Sequence, residues 1–80
     1  MSSNQKFIVT FKDGVSQDEI KKYVEQVNGS GGKVYHNYDG VITGFAAEIP
    51  PQTLQAFQKQ QSLTDSIIQG IEPDGEVHIN

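Results

Sequence analysis

Four residues near the start of the chain, Ser16-Gln17-Asp18-Glu19, have the form of a capping box. The Ser16 hydroxyl can accept from the third helical N–H, and the Glu19 carboxylate can reach back to the Ser16 N–H. Ile20, Tyr23, Val24 and Val27 follow at helical spacing, which gives one apolar stripe. Asp18 and Glu19 suit the positive end of the helix dipole, and Gly29-Ser30-Gly31-Gly32 stops the helix. A helix with a single apolar stripe must bury it against another element. The run before it, Lys6-Phe7-Ile8-Val9-Thr10-Phe11-Lys12, reads as a strand. Phe7, Val9 and Phe11 fall on one face of it, and Ile8 and Thr10 on the other. Asp13-Gly14 ends it.

The rest of the chain continues the pattern. Lys33 to Tyr38 reads as a second strand, Asp39-Gly40 as a turn, and Ile42 to Ile49 as a third strand with Gly44 inside it. Pro50-Pro51 opens a second helix, since proline is tolerated in a first turn. Leu54, Phe57 and Gln61 give this helix a thin stripe. Ser62 to Ser66 is a connector, and Ile67-Ile68-Gln69-Gly70-Ile71 a fourth strand broken by Glu72-Pro73-Asp74-Gly75. Glu76-Val77-His78-Ile79-Asn80 forms an alternating tail. The order β-α-β-β-α-β predicts an α+β, ferredoxin-like fold: a four-stranded antiparallel sheet, two helices on one face, and an extended C-terminal tail. Residues 1–80 are expected to form one domain, with 76–80 as its tail.

Eighty residues bury only roughly 60% of the surface an unfolded chain exposes. No cysteine is present to staple so small a core, and its absence also excludes zinc knuckles and a thiol nucleophile. Six Lys against ten Asp and Glu give a net charge of −4, with the lysines scattered, which argues against nucleic acid as a partner. Nothing approaches the roughly 20 apolar residues of a membrane span. The polar start Met1-Ser2-Ser3-Asn4-Gln5 carries no signal-like apolar run, so the expected location is cytoplasmic.

Candidates for chemistry are sparse. The histidines are His36 and His78, and a triad drawn from Ser66, His78 and Asp74 has no oxyanion loop beside it. Ligands for a metal are not clustered at a fixed spacing. The 29–32 glycine run lacks the ending of a phosphate loop. Acylphosphatase-type chemistry on this topology needs an arginine, and the chain has none. Phe7, Phe11, Tyr35 and Phe45 suit either the core or an open, RNA-binding type of sheet face; the acidic charge favours the core. The chain is therefore expected to be no enzyme and to hold no cofactor or metal. What needs an account is the tail, whose alternation suits a peptide presented in extended form to a partner.

Lys6 to Lys12, Gly31-Gly32-Lys33-Val34, Thr43-Gly44-Phe45-Ala46-Ala47-Glu48-Ile49 and Ile71-Glu72-Pro73-Asp74, followed by a short tail, together resemble the inhibitor I9 family. These are the propeptides of subtilisin-like serine proteases and their free-standing relatives. The chain is similar to the fungal proteinase A and B inhibitors, and its ending looks like that of a proteinase B inhibitor. The resemblance implies a stand-alone inhibitor of a subtilisin-like serine protease, monomeric when free, with a vacuolar protease as a candidate target. It implies that the sheet surface packs on two parallel protease helices and that Glu72 and Asp74 cap their N-termini. It also implies that the tail, Glu76, Val77, His78, Ile79 and Asn80, lies in the substrate cleft like a cleaved product. Val77 would then fill the apolar fourth subsite and Asn80 the first. Propeptides of this kind also template protease folding, which implies the same ability in trans. The alternative is a non-inhibitory ferredoxin-like module that binds a protein through an edge strand.

Overall fold

A computed structural model describes residues 4–38 and 43–74. Its elements are β1 (Gln5–Phe11), α1 (Gln17–Gly29), β2 (Lys33–Tyr38), β3 (Gly44–Ile49), α2 (Pro51–Gln61) and β4 (Ile68–Pro73). The expected order is borne out. The strands form one sheet, β2-β3-β1-β4, with every neighbouring pair antiparallel. The Asp39-Gly40 turn, Ile42 and the tail lie outside the described residues.

The period of two along β1 decides which way the sheet faces. Val9 stands opposite Phe45 on β3 and Ile71 on β4, so these side chains share a face. Val9, Phe45 and Ala47 are fully buried there with Ile20 and Val27 of α1 and Phe57 of α2. Both helices therefore cover this face. Tyr23 lies between them, edge-on to Phe57 at 5.2 Å between ring centroids and 5.3 Å from Phe11, within the range where aromatic pairs add to simple burial. Phe11 and Phe45 belong to this core and Phe7, half-buried, packs against it, so three of the four ambiguous aromatics lie on the helix side. Tyr35, the fourth, is 40% exposed.

The capping box is half formed. The Glu19 N–H donates to Ser16 Oγ at 3.3 Å, but the Glu19 carboxylate accepts from Lys22 Nζ at 3.4 Å. Gly31, at φ +95°, takes the left-handed turn that ends α1, and the Gly32 N–H donates to the Val27 carbonyl at 2.9 Å. Ser30 and Thr53 then join the helices: Thr53 Oγ1 donates to Ser30 Oγ at 2.7 Å, and Ser30 Oγ to the Val27 carbonyl at 3.0 Å.

Two expectations need correction. The buried residues of α2 are Thr53 and Phe57, with Leu54 half-buried and Gln61 exposed. Thr53 points inward because its hydroxyl has a partner in Ser30. The fourth strand also does not break at Glu72. It begins at Ile68 and runs through Pro73, with Ile8 opposite Glu72 and Phe7 opposite Pro73. The Asp74 N–H donates to the Lys6 carbonyl, so Lys6 and Asp74 form a hydrogen-bonded pair and the next pair, Phe7 with Pro73, is a non-bonded one. The proline's missing N–H falls on the outer side of an edge strand, where no ladder bond is lost.

Gly44 is required by a close approach. A Cβ there would come within 2.0 Å of the Val9 carbonyl oxygen, so no side chain fits where β3 crosses β1.

Candidate functional site

With both helices on one side, the other side of the sheet is left open. Register places on it Lys6, Ile8 and Thr10 of β1, Ala46 and Glu48 of β3, and Glu72 of β4. His36 and Tyr38 of β2 join them, opposite Ala46 and Gly44, with their rings 4.5 Å apart and edge-on. The centre of this face is small and apolar: Ala46 has no exposed surface, and its partners across the sheet are Ile8 and His36.

One end of the face carries alternating charge. Lys33 on β2 stands opposite Glu48 on β3, and Glu48 opposite Lys6 on β1. Asp74 completes the row, held by its N–H on the Lys6 carbonyl at 2.9 Å. Tyr35 lies across this end. Its ring centroid is 5.7 Å from Lys6 Nζ, and its hydroxyl donates to Asp74 Oδ2. Burial, then the hydrogen bond to Asp74 and the negative charge of Asp74, push the Tyr35 hydroxyl well above the ordinary tyrosine pKa; Tyr38 and Glu48 act in the same direction.

Glu72 and Asp74 lie close together at the end of β4. They stand two residues apart, on one face, at the end of the strand that leads into the tail. Glu72 is exposed, and Asp74 is half-buried against Tyr35. Glu76, Val77, His78, Ile79 and Asn80 lie outside the described residues. Tyr35 is the participant that sequence reasoning missed. Its place depends on a bulge in β2 between Val34 and His36, and neither the bulge nor a partner 39 residues away is written in the local pattern.

On the helix side, a cavity of about 400 Å³ lies between α1 and the 62–66 connector, lined by Glu19, Tyr23, Leu63 and Asp65 among others. Ser66, which also lines it, accepts from the Ile68 N–H at 3.1 Å. Among the described residues no group of three or more His, Cys, Asp or Glu could hold a metal ion, and no helix is long and apolar enough to cross a membrane.

The sequence model of the peptidase inhibitor I9 family matches residues 6–80, nearly the whole chain. The chain belongs to the peptidase inhibitor I9 family. Similar proteins include serine proteinase inhibitor IA-2 of Pleurotus ostreatus, 42% identical over 73 residues that cover 90% of this chain and 92% of the relative. Protease B inhibitor 2 of Saccharomyces cerevisiae is 32% identical over 74 residues, covering 92% and 95%. An uncharacterized protein of Schizosaccharomyces pombe is 33% identical over 76 residues, covering 95% and 92%. The resemblance read from the sequence is thus borne out, fungal inhibitors included. An I9 chain is an inhibitor by family and not an enzyme.

Proposed function

We propose that this I9 chain inhibits subtilisin-like serine proteases by occupying the substrate cleft as a cleaved product would. The observation that carries the reading is the I9 match across residues 6–80, together with relatives named as serine proteinase and protease B inhibitors. The geometry is compatible with it. The face left free by the helices has a small apolar centre and carries Glu72 and Asp74 at the C-terminal end of β4. Each carboxylate caps the N-terminus of a protease helix, where unpaired N–H groups and the dipole favour negative charge. The tail, Glu76 to Asn80, lies extended in the cleft, with Val77 in the apolar fourth subsite and Asn80 at the first, beside the catalytic serine and oxyanion hole. The folded sheet holds Asp74, just before the tail in sequence, through its N–H on the Lys6 carbonyl, which lowers the ordering cost of binding. The same docking would template the folding of a protease that lacks its propeptide.

Hydrolysis of a chromogenic peptide by a subtilisin and by a chymotrypsin-fold protease, each titrated with the chain, tests the reading. Inhibition of the subtilisin alone is expected. Equal inhibition of both, or of neither, would overturn the proposed target class.

A further inference from the structure

Tyr35 owes its position to the bulge in β2. Val34 faces Ala47 on the helix side and His36 faces Ala46 on the open side, so the residue between them has no partner on β3. Bulges re-aim side chains in this way. The Tyr35 side chain lies over the open face, beside Lys6 on β1, and its hydroxyl reaches Asp74 beyond the end of β4. One side chain from one edge strand is thereby tied to the far edge of the sheet.

Asp74 is the last described residue before the tail, and it is held twice. Its backbone N–H donates to the Lys6 carbonyl at 2.9 Å, and its Oδ2 accepts from Tyr35. A hydrogen bond to a carboxylate is of the stronger, charge-assisted kind. It uses one of the two carboxylate oxygens and leaves Oδ1 able to accept from a partner's N–H groups.

We infer that Tyr35 is a positioning residue for inhibition: it fixes the Asp74 carboxylate in the orientation in which it meets a protease helix N-terminus. The inference deepens the proposed function and rests on the capping role it gives Asp74. Tyr35 acts through Asp74. The gain from a pre-set carboxylate is bounded by the hydrogen bond that sets it, and solvent at this exposed pair lowers even a charge-assisted bond to the ordinary range, so its loss should weaken inhibition by roughly 2- to 10-fold.

The test is a double-mutant cycle on inhibition of a subtilisin, with the intact chain, Tyr35→Phe, Asp74→Ala and the double variant, and alongside them a chain lacking residues 77–80. Tyr35→Phe keeps the ring over Lys6 and removes only the hydroxyl. The expected result is a roughly 2- to 10-fold weaker inhibition constant for Tyr35→Phe in the intact chain and no further loss when it is added to Asp74→Ala. Thermal unfolding of each variant verifies that the proteins compared are folded at the assay temperature. An unchanged inhibition constant for Tyr35→Phe would overturn the inference, and so would an equal loss with and without Asp74. The truncated chain reports separately on the tail. Full inhibition without residues 77–80 would sink the tail reading, whereas a large loss there beside an inert Tyr35→Phe would sink only the role of Tyr35.

Discussion

Glu72 and Asp74 differ in what holds them, and this separates their expected roles. Glu72 is exposed opposite Ile8, so its carboxylate is free to meet a helix N-terminus, whereas Asp74 is already oriented by Tyr35. Glu72→Gln should weaken inhibition of a subtilisin by about 0.3–1 kcal/mol at low ionic strength and by much less in 1 M salt. A loss that ignores salt would contradict the dipole account. The tyrosines set a second residue-scale expectation. Burial, with a smaller effect of Glu19, raises the Tyr23 hydroxyl, and burial together with Asp74 raises Tyr35, both above the ordinary 10.0. The unfolded chain ionises these groups first, so it binds fewer protons than the folded one above pH 10. Their contribution is full below that pH and is lost as pH rises through the raised folded values. Melting temperatures should hold between pH 8 and 9.5 and fall above 10, less steeply in Tyr35→Phe. A variant that falls as steeply as the parent would show that Tyr35 does not carry this loss.

At the scale of elements, α1 is the part most fully written in its own residues. Its cap, acidic first turn, apolar stripe and glycine stop all agree, and the helix forms where they place it. Ser16→Ala should cost about 0.5–2 kcal/mol in urea unfolding, through loss of the bond from the Glu19 N–H. The same variant should be digested faster in mixtures with a protease, because a less stable domain opens more often. Unchanged stability would mean that Lys22 and the acidic first turn suffice to hold the helix start. β4 was legible only in part. Glu72-Pro73 reads as a break because proline cannot donate to a ladder, and only the pairing with β1 reveals that Pro73 sits where no donor is needed. Thr53 was missed for a similar reason. A threonine between Leu54 and the prolines looks solvent-facing until Ser30, 23 residues away, supplies its partner.

Across the whole molecule, order and spacing carried the fold and the family, because each element's pattern agrees with the layer it joins. The proposed site was read from its charges, Glu72 and Asp74, and not from Tyr35, whose position comes from a bulge and a contact across the sheet. An 80-residue chain without a disulfide has a thin stability margin. Its chemistry needs no pocket of its own if the proposed reading holds, because the sheet presents a surface and the tail fills the cleft of another protein. Persistence of inhibition is then governed by how seldom the domain unfolds. The central claim, that residues 76–80 deliver inhibition from a folded I9 platform, is tested most directly by comparing the intact chain with one lacking residues 77–80 in steady-state inhibition of a subtilisin. The account predicts that the truncated chain folds with the same circular dichroism spectrum but loses most of its inhibition; equal inhibition by the two chains would contradict it.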